Sequence, residues 1–297
     1  MSGLPPPLIR SPFTLLDGGL STALEELGER PSGPLWTASA LVDRPELLVA
    51  AHRRYVDAGV DVVITSSYQA SEEGLVAAGV RADVARTALA STTSLAREAG
   101  APIVAASVGP YGAVLADGSE YRGSYEASWA EVRSFHRRRL EVLVDSGPDA
   151  FAVETMPTAA EAEIVVDELR RLTTAPAWVA FCCRDGEYTF GGDRFADAAA
   201  VVASAVDAVG VNCTSPTFVH DLLRRGPLGT PLVVYPNHGG TWDGAHHCWT
   251  FPGGASSVGE WLSGFVPLWQ DDGARLIGGC CGVGSEAIRS LASARGS

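Results

Sequence analysis

Short apolar runs and longer amphipathic stretches alternate along the chain. Eight runs rich in Val, Ile, Leu and Ala each end in Gly, Pro, Asn or another polar residue, a pattern that predicts buried β-strands. Because the runs are apolar throughout, they favour strands covered on both faces, as in a parallel sheet, over half-exposed hairpins. The runs occupy residues 14–19, 60–67, 102–110, 150–157, 177–183, 208–213, 231–237 and 274–281.

The stretches between these runs have the residue spacing of helices. Apolar residues recur at intervals of three and four positions, which predicts amphipathic helices. The stretch at 45–59 has Pro in its first turn and Gly past its end, the expected signals for helix start and stop. Further helices are predicted at 125–147, 158–172, 194–206, 216–225, 256–272 and 284–294.

Eight strands with eight connections that can hold helices predict an α/β protein, a single (β/α)8 TIM barrel. No linker or shift in composition divides the chain, so we expect one domain over residues 1–297. The alternative is an open, doubly wound sheet, which normally has a G-x-G-x-x-G motif after its first strand. The stretch DGGLST (17–22) does not fit that motif, which favours the barrel.

Composition narrows the range of functions. The 297 residues include 22 Lys and Arg against 35 Asp and Glu, a net charge of −13, and contain no run of five basic residues. These features argue against a nucleic-acid surface and against binding to anionic lipid. No secretory signal pattern appears, and no apolar stretch approaches the ~18 residues of a membrane span. We therefore expect a cytosolic protein whose cysteines are reduced.

The barrel prediction brings reactive side chains to one place. Active sites of such barrels lie at the C-terminal ends of the strands. Residues that are distant in sequence would therefore converge on one barrel mouth. The reactive residues at predicted strand ends are Asp17, Thr65, Glu154, Cys213, Cys280 and Cys281.

Cys280 and Cys281 are adjacent, and adjacent cysteines can be buried filler, a vicinal disulfide, a redox pair or two metal ligands. Strands six and eight are near neighbours in the barrel, so Cys213 can approach the pair. Three thiolates suit Zn²⁺, and Gly279 and Gly282 can provide the bent backbone that turns both sulfurs inward. The alternative is three buried cysteines that act as small hydrophobic residues.

Three protein ligands leave the fourth tetrahedral position open, which is typical of catalytic zinc. Zinc with three thiolates is a weak Lewis acid, so it is poorly suited to making hydroxide from water. It can instead hold a substrate thiol as a thiolate, which removes the proton that a free thiol with a pKa of ~8.5 retains at neutral pH. The residues therefore indicate alkyl transfer to a thiol.

Eight stretches that together span most of the chain form a specific pattern: LDGGLSTALEELG (16–28), LWTASAL (35–41), ITSSYQAS (64–71), ASVGPYGAVLADGSEYRGSY (106–125), VETMP (153–157), GVNC (210–213), VVYPN (233–237) and RLIGGCCG (275–282). This pattern resembles the cobalamin-independent homocysteine S-methyltransferases. Within it, GPYGAVLADGSEYRG (109–123) is more similar to the branch that uses S-methylmethionine or S-adenosylmethionine than to the betaine-using relatives.

This resemblance implies that homocysteine thiolate attacks the methyl group of a sulfonium donor and forms methionine. It implies one zinc ion per chain, with Cys213, Cys280 and Cys281 as ligands. Asp17 and Glu154 would hold the homocysteine ammonium, while backbone amides near Gly18 and the Thr65 hydroxyl would fix its other end. Asp17 could instead be a turn residue.

Aromatic faces attract cations such as a sulfonium, so three aromatic residues in matched loops are candidates for donor contacts. Each of them could instead serve only in packing. The preferred donor and the oligomeric state stay open at this level. The three candidates are Trp36, Tyr68 and Tyr111.

Some positions depart from the family pattern. Ala180 and Cys182 stand where relatives usually have hydroxyl residues, and His238 replaces a small residue, which could narrow the donor pocket. With His246, His247 and Cys248, His238 could mimic a second metal site, but we interpret the segment as a loop over the barrel mouth.

Two other functions compete with methyl transfer to homocysteine. One is a thiol-based redox sensor or non-catalytic metal-binding protein, in which Cys280 and Cys281 oxidise reversibly. The other is methylation of a different thiol or of a selenol such as selenocysteine.

Overall fold

The computed structural model describes residues 8–29, 36–227, 229–243, 248–251 and 255–295. Eight parallel strands form the barrel, and each lies inside one of the predicted apolar runs. A short antiparallel hairpin, β8 (Thr241–Asp243) with β9 (Cys248–Thr250), is added before the last barrel strand. The barrel strands are β1 (Thr14–Leu15), β2 (Val62–Ile64), β3 (Ile103–Val108), β4 (Ala150–Met156), β5 (Ala177–Phe181), β6 (Ala208–Asn212), β7 (Leu232–Tyr235) and β10 (Ala274–Ile277).

The strand order is that of a closed barrel. The strands pair in the order β1-β10-β7-β6-β5-β4-β3-β2, with every neighbouring pair parallel. A parallel bridge between Leu16 and Val62 then joins β1 to β2 and closes the ring. The structure confirms the predicted (β/α)8 barrel.

Helices follow the strands and form the outer layer. None of those in the described ranges is both long and apolar enough to cross a bilayer. Short 3-10 helices occur at Trp36–Ser39, Ser119–Tyr121 and Ala203–Ala205. The α-helices are α1 (Leu20–Glu26), α2 (Ala40–Asp43), α3 (Pro45–Ala58), α4 (Glu72–Ala77), α5 (Ala82–Glu98), α6 (Tyr111–Leu115), α7 (Trp129–Asp145), α8 (Ala159–Leu172), α9 (Phe195–Val202), α10 (Pro216–Leu223), α11 (Val258–Ser263), α12 (Val266–Asp271) and α13 (Ser285–Ala294).

The apolar residues of the strands divide between two cores. In β4, the small residues Ala150 and Ala152 face the barrel interior, whereas Phe151 and Val153 pack against the helices. This alternation follows from the opposite directions of successive side chains in a strand. Trp178 and Tyr235 fill much of the barrel interior, and Trp178 Nε1 donates a hydrogen bond of 3.1 Å to the Tyr235 hydroxyl. Both cores are buried, as the continuous apolar runs predict.

Two predicted helix boundaries are wrong for identifiable reasons. The helix predicted from residue 125 begins at Trp129, because Ser128 caps it and exchanges hydrogen bonds with Glu131 in a capping box. The stretch at 256–272 is two helices, α11 and α12, since the chain turns at Gly264 and Phe265.

Candidate active site

A cavity of about 460 Å³ opens at the C-terminal ends of the barrel strands. Its wall includes residues from the loops after β1, β2, β6 and β10 and from the segment that follows β3. This is the end at which barrel enzymes place their active sites. The sequence-predicted site residues on the cavity wall are Asp17, Gly18, Thr65, Tyr68, Glu154, Cys213, Cys280 and Cys281.

Three cysteine sulfurs meet at this cavity. Cys213 Sγ lies 3.7 Å from Cys281 Sγ, and Cys280 Sγ lies 4.0 Å from Cys281 Sγ. Only β7 separates β6 from β10, which is why the sequence-distant Cys213 reaches the adjacent pair. These distances far exceed the ~2.05 Å of a disulfide bond, and all three cysteines are free thiols.

Backbone turns aim the sulfurs into the cavity. Cys213 directly follows β6 and has a φ of 48°, a left-handed conformation that is uncommon for a residue with a side chain. Gly282 has a φ of 75°, and a Cβ there would lie 1.9 Å from Cδ2 of His238. Gly279 is not left-handed, but a Cβ there would lie 2.2 Å from Cγ1 of Val283. Gly282 thus has the unusual backbone conformation that was predicted for the flanking glycines. Gly279 does not have it, but any larger residue there would clash with Val283.

The three thiols cannot ionise independently. Hydrogen bonds from Cys213 and Cys280 lower the pKa of the Cys281 thiol, whereas contacts with Cys213 and then Cys281 raise the pKa of Cys280. Like charges this close repel each other, so one thiolate forms at the expense of its neighbours. A cation between the sulfurs would allow all three to be deprotonated.

The geometry fits a metal ion. The three sulfurs lie within 4.8 Å of one another. A zinc–sulfur bond of ~2.3 Å in a regular tetrahedron gives sulfur–sulfur separations of about 3.8 Å, close to the two distances measured to Cys281. Soft thiolate ligands in this number suit zinc. The residues present can therefore hold the metal that the sequence predicts.

Two buried carboxylates lie on the same cavity wall. Asp17 Oδ2 accepts a hydrogen bond of 2.9 Å from the Ile64 amide, and Glu154 Oε1 accepts one from the Ser107 hydroxyl. Burial raises the pKa of Asp17 well above its usual value, and the nearby Glu154 charge raises it further. Burial also raises the pKa of Glu154 to about 7. A cationic group bound between these carboxylates would stabilise their ionised forms.

Comparison with known proteins identifies the family. The sequence model described as homocysteine S-methyltransferase matches residues 14–295. The chain belongs to the homocysteine S-methyltransferase family. It is therefore a methyltransferase.

Relatives of this methyltransferase are similar over nearly their whole length. Homocysteine S-methyltransferase 3 from Zea mays is 39% identical over 300 residues, which cover 93% of this chain and 88% of the relative. Homocysteine S-methyltransferase YbgG from Bacillus subtilis (strain 168) is 37% identical over 300 residues, with 95% and 94% of the two chains covered. The crystal structure of homocysteine methyltransferase MmuM from Escherichia coli, metallated form, superposes with a TM-score of 0.82 at 37% identity over 96% of each chain.

In this methyltransferase, the Thr65 hydroxyl is hydrogen-bonded to neighbouring groups of the protein itself. It accepts a hydrogen bond of 3.1 Å from the Ser107 amide and lies 2.7 Å from the Ser67 hydroxyl. At Gly18, a Cβ would lie 2.2 Å from the Val283 carbonyl oxygen, so only glycine fits at this position. Both residues lie on the cavity wall, and their predicted substrate contacts stay predictions.

The three aromatic candidates for donor contacts have different positions. Tyr68 lies on the cavity wall. Tyr111 lies outside the set of lining residues and packs edge-on against Tyr125 and Phe135, with ring centroids 5.3 and 5.1 Å away. The side chain of Trp36 is outside the described part of the chain. The structure therefore brings Tyr68 to the cavity and does not bring Tyr111 there.

The departures from the family pattern have identifiable positions. Ala180 is buried in the barrel interior beneath the cavity. Cys182 is buried, and its thiol lies 3.4 Å from the Thr155 carbonyl oxygen. His238 covers Gly282, and its amide donates a 3.0 Å hydrogen bond to the Cys281 carbonyl oxygen. His246 and His247 lie outside the described residues, as does the side chain of Cys248, so the interpretation of that loop stays a prediction.

Several lining residues were not singled out from the sequence, and three of them, Tyr121, Glu120 and Asn212, lie in motifs that it did identify. The Tyr121 hydroxyl lies 3.4 Å from Cys213 Sγ, and Glu120 precedes it on the cavity wall. The side chain of Asn212 exchanges hydrogen bonds of 2.7 and 2.8 Å with Thr155, which has a left-handed φ of 58°. The only sequence signal for these residues was their place in the GPYGAVLADGSEYRG and GVNC segments.

Proposed function

We propose that this methyltransferase transfers a methyl group from a sulfonium donor, S-methylmethionine or S-adenosylmethionine, to the thiol of L-homocysteine and so forms methionine. We further propose that the reaction depends on zinc. The observation that carries the proposal is the three-sulfur cluster on a cavity that also contains two buried carboxylates. The names of the relatives, and the metallated form of MmuM, support it.

Cys213, Cys280 and Cys281 would hold one Zn²⁺ per chain. When bound, the metal would supply the positive charge that keeps the substrate sulfur deprotonated at neutral pH. Before metal binding, the mutual hydrogen bonds of the three thiols already favour one thiolate, at Cys281.

Asp17 and Glu154 would bind and orient homocysteine through its ammonium group. Each carboxylate is buried and already held by a hydrogen bond, so its direction is set before substrate arrives. The raised pKa of each group measures the cost of burying its charge, and an ammonium ion offsets that cost by charge-assisted hydrogen bonds. We propose that Gly18 and Thr65 contact the other end of homocysteine.

The donor would lie against Tyr68, with Trp36 as a further predicted contact, since aromatic faces attract a sulfonium. During transfer a carbon–sulfur bond forms to homocysteine and another breaks on the donor, whose sulfur keeps the electron pair. A thiolate and a sulfonium thereby become two neutral thioethers, a change that a desolvated cavity favours. Alignment of the two sulfurs with the methyl carbon supplies the rest of the acceleration.

A cysteine substitution tests both zinc dependence and reaction. We expect the purified protein to hold about one zinc per chain and to form methionine from homocysteine and S-methylmethionine or S-adenosylmethionine. Cys281→Ser should lose zinc and reduce methyl transfer at least ~100-fold, because a hydroxyl is a poor replacement for a thiolate ligand. Elemental analysis and methionine assays measure the two effects.

Cys183→Ala is the matched control. Cys183 is a buried thiol outside the three-sulfur cluster, so this variant should keep both zinc and activity. Full methyl transfer by zinc-free Cys281→Ser protein would contradict the proposal. Reversible oxidation of Cys280 with Cys281 that ignores a chelator would instead favour the redox sensor. The reduced thiols that the reaction needs suit a cytosolic location, which stays a prediction.

A further inference from the structure

The cavity contains a third carboxylate, Glu120, for which the proposed reaction gives no role. Glu120 lies in the 3-10 helix Ser119–Tyr121, in the segment that leads from β3 to α7, and it lines the cavity. Its Oε2 atom is buried and has no hydrogen-bond partner within the described residues. A buried carboxylate oxygen without a partner is costly, so the site is suited to a ligand that donates hydrogen bonds or carries positive charge.

The neighbouring cation does not satisfy Glu120. Arg122 Nη2 lies 3.5 Å from Asp117 Oδ2, and Arg122 Nη1 donates a 3.4 Å hydrogen bond to the Asp117 carbonyl oxygen. Burial raises the pKa of Glu120, and Asp117 adds to that effect more than Arg122 opposes it. A cationic group bound in the cavity would therefore stabilise the ionised form of Glu120 and could pair with its unpartnered oxygen.

Glu120 is separate from the carboxylate pair proposed to hold homocysteine. Asp17 and Glu154 interact with each other, and they belong to the loop after β1 and to β4. Glu120 instead precedes Tyr121, whose hydroxyl lies 3.4 Å from Cys213 Sγ. The cavity thus has acidic side chains in two places. Asp17 and Glu154 lie in the barrel wall, and Glu120 lies in the segment between β3 and α7.

Two substrates with cationic groups must share this cavity if the proposed function holds. Homocysteine brings one ammonium, which the carboxylate pair would take. A donor derived from methionine brings a sulfonium and a second ammonium a few bonds away. Glu120 and Tyr121, the tyrosine whose hydroxyl contacts Cys213, line the cavity from the same short helix, so a donor placed beside the sulfur cluster lies next to this helix.

We infer that Glu120 binds the α-ammonium group of the methyl donor and selects sulfonium compounds that are amino acids over those that lack the amino group. This inference rests on the proposed function, and it defines the donor as a class: a sulfonium with an α-amino group. S-Methylmethionine and S-adenosylmethionine both belong to that class.

The test compares Glu120→Gln with the unmodified enzyme on two donors, S-methylmethionine and dimethylsulfoniopropionate, which has no amino group. The substitution keeps the shape of the side chain and removes its charge. We expect KM for S-methylmethionine to rise about 10–100-fold, the range for a hydrogen bond to a charged group. KM for homocysteine and kcat/KM for dimethylsulfoniopropionate should change less than ~3-fold, because neither uses Glu120. The preference for the amino-acid donor should therefore fall about 10–100-fold.

Glu126→Gln is the matched control, since Glu126 is an exposed carboxylate on the same segment. It should leave all three kinetic constants unchanged. Titration of S-methylmethionine into each variant, without homocysteine, measures donor affinity independently of turnover, and Glu120→Gln should weaken it by the same factor.

An unchanged donor preference in Glu120→Gln, or an effect confined to the KM of homocysteine, would overturn the inference while leaving methyl transfer intact. A wild-type enzyme that binds S-methylmethionine no more tightly than dimethylsulfoniopropionate would also overturn it. Failure of the proposed function has a different signature, which is the absence of methyl transfer from either donor by the unmodified enzyme.

Discussion

At the scale of single residues, the proposed binding role of Glu154 comes with a cost in stability. It is 7% exposed, and burial raises its pKa from 4.5 to about 7. Between these two values the folded protein retains a proton that the unfolded chain has lost. The free energy of unfolding therefore falls as pH rises through this window. At about 1.4 kcal/mol per pKa unit, the fall due to Glu154 is about 3 kcal/mol.

Replacing Glu154 by Gln should remove that pH dependence. Gln cannot ionise, so the free energy of unfolding of ligand-free Glu154→Gln should fall by about 2.5 kcal/mol less than that of the wild type between about pH 5 and about pH 8. Urea unfolding at both pH values measures the difference. Affinity for homocysteine should decrease at least ~10-fold, because one carboxylate partner of the ammonium is lost.

The control for this experiment is Glu163→Gln on the outer face of α8, where the carboxylate is exposed. Its unfolding should follow the wild-type pH dependence. If Glu154→Gln also follows the wild-type curve, the charge of Glu154 is not disfavoured in the fold, and the proposed electrostatic role of this residue is wrong.

Residue-level prediction worked where strand ends determine position. Asp17, Glu154 and the three cysteines could be placed at one mouth because each follows or ends an apolar run. Tyr121 could not be assigned in this way, because it lies in a connecting segment. Ala116 there has a left-handed φ of 53°, and such a turn decides which aromatic ring faces the cavity. No apolar pattern encodes that turn, so the sequence points to Tyr111, whereas the tyrosine of this segment on the cavity wall is Tyr121.

At the scale of elements, Arg139 of α7 connects two loops behind the cavity. Its guanidinium is fully buried and donates hydrogen bonds to the carbonyl oxygens of Gly109, at 2.6 Å, and Tyr68, at 3.5 Å. Gly109 in turn lies against the Tyr68 ring, where a Cβ would be only 2.6 Å from Cε2. One helix side chain thus holds the loops after β2 and β3 in register beside the proposed donor position.

Arg139→Met should loosen these loops. Loss of buried charge-assisted hydrogen bonds should lower the free energy of unfolding by about 3 kcal/mol. Since Tyr68 then loses its support, KM for the donor should rise more than KM for homocysteine. Chemical unfolding and two-substrate kinetics measure these changes.

The neighbouring Arg138 provides the control for Arg139. It is half exposed and pairs with Glu73 at the surface, so Arg138→Met should cost less than ~1 kcal/mol. Equal changes in both KM values for Arg139→Met would show that the residue stabilises the fold without positioning the donor site.

Prediction of elements succeeded where apolar side chains are large. Helices α3 and α8 were found within two residues of their ends, because they carry a clear apolar stripe. Helix α5, Ala82–Glu98, was missed although it is among the longest helices in the described chain. Its buried face contains mainly Ala and Thr, such as Ala85, Ala88 and Thr92, which mark a buried position less clearly in a sequence than Leu, Ile or Val do. The same small residues allow it to pack closely against the barrel.

At the scale of the whole molecule, carboxylates reinforce the end of the barrel opposite the cavity. Asp61 precedes β2 and accepts a hydrogen bond of 2.8 Å from the Leu15 amide of β1. Asp149 before β4 and Asp207 before β6 accept equivalent bonds from β3 and β5. Asp61 also pairs with Arg10 and Arg295, which come from opposite ends of the described chain. This arrangement ties both ends of the described part of the chain to the joint between β1 and β2.

Asp61→Asn should weaken this joint without affecting the chemistry. Loss of two charge pairs at a mostly buried carboxylate should lower the free energy of unfolding by about 2 kcal/mol. Both KM values should stay within ~2-fold of wild type, because the cavity lies at the other end of the barrel and its shape does not depend on Asp61. Urea unfolding and steady-state kinetics test the two statements.

Asp83→Asn is the matched control, since Asp83 pairs with Arg81 at the exposed surface. It should change the free energy of unfolding by less than ~1 kcal/mol. A loss of methyl transfer in Asp61→Asn that exceeds its loss of folded protein would contradict a purely structural role for this carboxylate.

The pairing of β1 with β10 also has a consequence for biosynthesis. The ribosome makes β1 first among the barrel strands and β10 last, so β1 has an unpaired edge for most of translation. Arg295 reaches Asp61 later still. The nascent chain can therefore pair its strands from β2 through β7 as they emerge. The ring closes, and Cys280 and Cys281 join Cys213, only at the end of synthesis.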